Sequence, residues 1–276
     1  MGMHHPLSHI AVRAVRAYWS TSRLLLILLS VVLWASTGAA VPQSVRFLEG
    51  SVRGFLVLRT LDGKAIAHGE LMQKPTRGLI ESRLQLHFMD GSLYEETVAF
   101  SQKQVFRLER YHLIQRGASF PLADITFDRQ SGRYRARQQE KKDSEEKAAS
   151  GSLELPADLY NGMTSIVLKN LPRGAGTTGQ MVAFTPEPRL LKMTLHPEGE
   201  EKVRVGKDVK AVTRYLVKLE IGGIPGVIAS VIGKDPPDLH YWLVAGDVPA
   251  FVRFEGAMFL NGPVWRLELT TVEWPK

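Results

Sequence analysis

Between Ser51 and Gln115 five strand-like segments follow one another with only short, turn-rich connections, and this run restricts the fold more than any other feature of the chain. The segments are S-V-R-G-F-L-V-L-R-T, A-I-A-H-G-E-L-M-Q, L-I-E-S-R-L-Q-L-H-F, L-Y-E-E-T-V-A-F and V-F-R-L-E-R-Y-H-L-I-Q. L-D-G-K, K-P-T-R-G, D-G-S and S-Q-K-Q separate them. Parallel neighbours need a crossover of about a dozen residues or more, so connections this short make an antiparallel meander. Strand-like segments resume after Gly179 as Q-M-V-A-F, R-L-L-K-M-T-L-H, E-K-V-R-V, A-V-T-R-Y-L-V-K-L-E, D-L-H-Y-W-L-V-A, A-F-V-R-F-E and V-W-R-L-E-L-T-T-V. No fixed-period repeat relates the two runs.

One helical signal separates them. Leu159, Met163, Ile166, Val167 and Leu171 recur at the spacing of a single helix face. Pro156 suits the first turn, Pro172 ends it, and Gly162 is the weak point inside. A helix with one apolar stripe beside a sheet with one apolar face is expected to pack into the sheet's concavity. Residues 129–152 are almost wholly polar and cannot contribute core, so they read as an exposed hairpin or mobile loop. The segment Ile221–Pro237 is apolar yet broken by glycine. It reads as a core plug of the sheet's open mouth, as a movable lid over an apolar cavity, or as a segment that touches a membrane.

The first forty residues differ in kind. Arg13, Arg16 and Arg23 precede the apolar run Leu24–Trp34, then A-S-T-G-A-A, with no acidic residue anywhere in the stretch. That is the layout of an export signal, with cleavage expected near Ala40 and a periplasmic or secreted destination. An uncleaved anchor is the alternative, against which Gly38 and Pro42 interrupt the helix. The chain beyond residue 40 keeps 32 basic against 28 acidic residues, a net charge of +4, too mild for a nucleic-acid footprint. The absence of cysteine excludes disulfides, thiolate metal sites and a cysteine-borne lipid anchor. The expectation is one β domain, residues 41–276, with no span of the membrane after cleavage.

Glu95 and Glu96 are adjacent carboxylates, but neighbours on a strand point to opposite faces, so they cannot act on one substrate atom. A three-residue loop with Gly91 in the left-handed bulge position pairs even with even positions and keeps one apolar face. On that register Glu96 joins Leu84, Leu86, Phe88, Val98, Phe100, Phe106 and Leu108. Strict alternation adds Arg110 and His112 to the same face. Tyr94, Glu96, Arg110 and His112 then form either a polar cluster in a cavity or a structural ion pair at the rim.

Other motifs exclude more than they assign. Gly174-x-Gly176-x-x-Gly179 has the spacing of a dinucleotide fingerprint but follows a helix and precedes a strand, the reverse of the required order. Histidines 68, 87, 112, 196 and 240 show no metal-ligand spacing, and no nucleophile elbow, H-E-x-x-H or phosphate loop is present. The reading is of a non-enzyme without metal or cofactor.

The run Tyr241–Gly256, with Trp242, Asp247, Pro249, Val252, Arg253 and Glu255, resembles a hairpin of exported bacterial β half-barrel proteins of unknown function. Those proteins are similar in shape to the periplasmic lipoprotein carriers. V-T-R-Y-L-V-K-L-E before it, and D-G-S-L-Y-E-E-T and S-F-P further upstream, carry the same resemblance; its main part is residues 211–256. The resemblance implies a mainly β fold: a curved antiparallel sheet, or half-open β-barrel, around one central helix. It also implies an apolar concavity able to hold acyl chains. The expected ligand-binding face is therefore Leu84, Leu86, Phe88, Tyr94, Glu96, Val98, Phe100, Phe106, Leu108, Arg110 and His112, with Val227, Ile228 and Val231 over the mouth. The expected partner is an apolar small molecule or lipid. The alternative is an envelope-assembly protein that contacts other envelope proteins and holds no ligand.

Overall fold

The structure, a computed structural model, describes residues 42–139, 142–184, 187–205, 208–220, 237–244, 246 and 249–273. The expected export signal at residues 1–40, and Val227, Ile228 and Val231 with their segment, lie outside the described residues. Among the described residues fourteen strands form one antiparallel sheet. The first eight are β1 (Val52–Thr60), β2 (Ala65–Thr76), β3 (Leu79–Phe88), β4 (Leu93–Gln102), β5 (Phe106–Arg116), β6 (Ala123–Asp128), β7 (Arg133–Gln139) and β8 (Glu146–Ser152). After the helix α1 (Thr164–Lys169) come β9 (Thr177–Phe184), β10 (Pro188–Val205), β11 (Asp208–Glu220), β12 (Leu239–Val244), β13 (Ala250–Ala257) and β14 (Val264–Glu273).

Each strand pairs with its sequence neighbour, and β1 pairs with β14 to join the two meanders edge to edge. The order runs from β8 through β1 and β14 to β9, so the sheet curves but does not close. The chain between its two edge strands, residues 153–176, turns into the concavity. Leu159, Tyr160, Met163, Ile166, Val167, Leu168 and Leu171 from this segment share one core cluster with residues of β3–β6 and of β9–β12. The helix is thus wrapped by both arms of the sheet, as its apolar stripe requires.

Polar anchors hold this segment in place. The Arg129 guanidinium donates to the carbonyls of Leu108, Leu155 and Pro156 at 2.5–2.8 Å, fixing where the chain turns inward. Asp158 and Tyr160 exchange backbone hydrogen bonds with Gln180, which covers part of the β9 edge. Gly179 lies where an added Cβ would come 2.5 Å from the Tyr160 ring, so its glycine serves close packing and not a phosphate. At the other end Asn170, fully buried, accepts from the Arg46 and Phe47 amides at 2.8 and 2.7 Å.

Three elements differ from the sequence reading. The helix is six residues long instead of spanning residues 156–171, because Gly162 takes a left-handed φ of +66° just before Met163, the N-cap residue. A-D-I-T-F-D forms a strand, β6, that the sequence reading passed over, with Ile125 and Phe127 buried. R-L-L-K-M-T-L-H and E-K-V-R-V are one strand, β10, carried through a register shift between Pro197 and Gly199. The charged stretch 129–152 forms the hairpin β7–β8, exposed along β8, but Ala136 and Gln138 of β7 are buried and Ala136 packs with Ala123 and Ile125, so the stretch does contribute to the core.

Candidate functional site

The D-G-S loop fixes the register on which the site depends. Phe88 N–H donates to the Ser92 carbonyl at 2.9 Å, Gly91 N–H donates to the Phe88 carbonyl at 3.0 Å, and Gly91 has φ +83°. Leu84 then faces Glu96 and Leu86 faces Tyr94, even with even. Glu95 points outward to Arg83 at 2.7 Å and Gln85 at 2.9 Å. Glu96 points inward.

The concave interior is not filled. A cavity of about 1220 Å³ lies between the segment carrying α1 and the inner faces of the sheet. Its wall is mostly apolar, with Leu84, Val98, Ile125, Met181, Leu239 and Phe254 among the lining side chains. Glu96 lines it too. The Tyr111 hydroxyl donates to Glu96 Oε1 at 2.8 Å, and the Tyr94 hydroxyl bonds to the same carboxyl. Burial pushes the Glu96 pKa above its ordinary value of 4.5, and the two tyrosine hydrogen bonds oppose that shift. Burial likewise raises Tyr94, Tyr111 and Tyr241, with the Glu96 charge adding to each.

The helix segment completes this polar floor. Asn161 is held like a strand residue, donating to and accepting from the Val182 backbone at 2.8 Å each way, and its side chain meets Tyr111. A Cβ on Gly162 would lie 2.6 Å from Val98 Cγ1 and 3.1 Å from Glu96 Cδ. The backbone therefore passes directly against the carboxyl, at a distance only glycine allows. Thr164 hydrogen-bonds the Tyr241 hydroxyl. Elsewhere on the wall Lys169 Nζ meets Glu49 Oε1 at 2.5 Å, and Gln73 donates to Glu49 Oε2 at 2.8 Å. Both charges of that pair are thus engaged.

Of the residues expected at the site, Leu84, Tyr94, Glu96 and Val98 line the cavity. Leu86, Phe88, Phe100, Phe106 and Leu108 face inward but are packed in the core. Phe88, for example, sits edge-on to Phe120 at 4.9 Å in an aromatic group with Trp265. Arg110 and His112 are a correction: both lie on the outer face. Ala99 pairs with Arg110 but Phe100 pairs with Leu108, so Glu109 is an extra residue, a bulge that reverses the alternation beyond it. Arg110 is exposed, His112 meets Asp124 at 3.0 Å, and Tyr111, Leu113 and Gln115 take the inner positions. Glu96, Arg110 and His112 therefore do not converge on one site.

Tyr111 was missed although the spacing of Phe106, Leu108, Tyr111 and Leu113 carries the phase slip. The pairing of Glu49 with Lys169 spans 120 residues and has no local signal. Trp242, Val252 and Arg253 of the recognised hairpin lie away from the cavity. Trp242 packs with Val203, Val212 and Val252, Arg253 covers its ring at 5.5 Å, and its indole N–H donates to Glu201. Those three residues brace the convex side, whereas Pro249 of the same hairpin borders the cavity.

Among the described residues no group of three His, Asp or Glu side chains is placed to hold a metal ion, and no helix is long and apolar enough to cross a membrane. No family model matches the sequence, and no curated protein matches it. Among solved structures, the chain is similar to a crystal structure of a β-barrel-like protein of domain of unknown function DUF1849 from Brucella abortus. The identity is 7%, the match covers 81% of this chain and 97% of that one, and the TM-score is 0.46.

Proposed function

We propose that this chain is an exported, non-enzymatic module, periplasmic or secreted, that binds an apolar ligand, a lipid or a lipidated partner inside the concave sheet. The observation that carries the reading is the unfilled volume of about 1220 Å³ beside the helix. Ligand pockets are typically about 300–1,000 Å³, mostly apolar, with a few convergent polar groups. This cavity has that composition at slightly larger size. Had the helix packed the concavity fully, the molecule would be a scaffold only. Protein purified from the envelope under native conditions is expected to carry co-purifying lipid in native mass spectrometry. Lipid-free protein that also fails to take up a neutral fluorescent amphiphile would remove the reading.

A second reading rests on a different observation. β8, at one edge of the sheet, has six of its seven residues exposed, and it could add a strand from an envelope protein. On that reading, replacing Ala149 with proline abolishes capture of the partner while leaving lipid content unchanged.

A further inference from the structure

The polar equipment of the cavity is uneven, and this narrows the ligand that the proposed function requires. Among the described residues two carboxylates line the wall. Glu49 is neutralised by Lys169 at 2.5 Å. Glu96 is faced by the hydroxyls of Tyr94 on its own strand, Tyr111 on β5 and Tyr241 on β12, and by Gly162 and the Asn161–Thr164 turn. None of these groups is cationic. A carboxylate offers about four acceptor positions, and two hydroxyls leave capacity for a further donor from the cavity side. Tyr94 and Tyr111 turn their hydroxyls to the carboxyl, and the Tyr241 hydroxyl is bonded to Thr164. Tyr111 stacks on Phe127 at 4.7 Å, and Tyr241 packs on Phe254 at 5.0 Å. The floor is therefore built for hydrogen bonding rather than for gripping a quaternary ammonium by ring faces.

We propose that the cavity selects single-chain amphiphiles whose head donates hydrogen bonds and bears no negative charge (an alcohol, a monoglyceride or an amine). The head sits on Glu96 and the chain lies along Leu84, Val98, Ile125 and Met181. An anionic head placed there meets the ionised carboxylate where water screens it less than in bulk, and the two repel. Burial raises the Glu96 pKa, so the repulsion fades as pH falls and the carboxyl takes up its proton. Lys142 and Lys147 also border the cavity, near the β7–β8 hairpin. A ligand whose head went to that end would be indifferent to Glu96.

The inference rests on the ligand-binding reading, and the test separates the two. The full chain, purified from the envelope and stripped of lipid, is loaded with the neutral probe N-phenyl-1-naphthylamine. The probe is displaced by dodecanol, dodecylamine or dodecyl sulfate between pH 5 and pH 8, with wild type and Glu96→Gln. Dodecanol and dodecylamine are expected to displace it, and dodecyl sulfate about tenfold less well at pH 8. That gap should narrow toward pH 5 in the wild type and be small at every pH in Glu96→Gln. The pH profile of the wild type needs no variant, so a folding defect in Glu96→Gln does not decide the matter. Displacement by dodecyl sulfate equal to that by dodecanol at pH 8, or a gap unchanged by Glu96→Gln, overturns the inference and leaves the binding reading standing. No uptake of any probe by folded protein overturns both.

Discussion

Replacing Gly162 by alanine should damage this fold more than the same change at any turn glycine with open surroundings. Two costs add. Gly162 has φ +66°, and a residue with a Cβ held there costs about 1–2 kcal/mol. The new methyl would also meet Val98 Cγ1 at 2.6 Å and Glu96 Cδ at 3.1 Å, within a packed region where overpacking costs about 1–3 kcal/mol. The sum, about 2–5 kcal/mol, lowers Tm on the order of 10 °C for a domain of this size. Gly132 provides the control, because its φ of +64° is nearly identical and nothing lies within 4 Å of its added Cβ. Gly132→Ala should therefore lose only the conformational part. Differential scanning calorimetry of both variants measures the difference. Val98→Ala removes the struck methyl, so in the Gly162→Ala background it should cost less than alone, with a coupling of about 1 kcal/mol or more. Equal losses at Gly162 and Gly132, or strict additivity with Val98→Ala, would refute the claim that the backbone here is pressed against the strand.

Three further outcomes follow from the same geometry. Glu49→Gln strands the Lys169 ammonium in a site where the two side chains are only 6% and 16% exposed; urea unfolding should show a loss of about 3–5 kcal/mol, largely recovered in Glu49→Gln/Lys169→Met. Glu96 has a folded-state pKa raised above its unfolded value, so its contribution to stability is full below pH 4.5 and is lost as pH rises through the folded value. Glu96→Gln should therefore gain stability relative to wild type as pH is raised from 4 to 8, and a constant difference across that range would contradict the assignment. His112 lies on the outer face, paired with Asp124 and well exposed, so His112→Ala should change stability by less than about 1 kcal/mol and leave amphiphile displacement unaltered.

Local signals in the sequence account for much of the sheet and for half of the site. The alternation in L-I-E-S-R-L-Q-L-H-F and the D-G-S loop were enough to put Glu96 inside and Glu95 outside, because side-chain direction on a strand follows from parity and loop geometry alone. Parity also misled. One extra residue, Glu109, reverses every position after it, which sent Arg110 and His112 to the wrong face and hid Tyr111. β6 was passed over because the acids Asp124 and Asp128 flank its buried Ile125 and Phe127, and six residues give little periodicity to read. The β1–β14 pairing that unites the two meanders is set by packing across the whole chain, where no local pattern reports it.

The size of the cavity follows from a mismatch of lengths. Fourteen strands at about 4.8 Å spacing leave an arc of about 62 Å from edge to edge, which curves around the segment carrying α1 without closing. In cross-section one helix fits. Along the strands it does not reach: ten residues of β3 or β4 extend about 33 Å, whereas a six-residue α1 rises only about 9 Å. The aromatic group of Phe88, Phe120 and Trp265 and the chain on either side of α1 fill part of the remaining length, and the cavity takes up another part. A continuous helix over residues 156–171 would have risen about 24 Å and occupied much of that space. Gly162 cuts it short by turning left-handed. The same turn lays the backbone against Glu96, so one glycine both creates the volume and supports the only unneutralised carboxylate among the residues described along its wall.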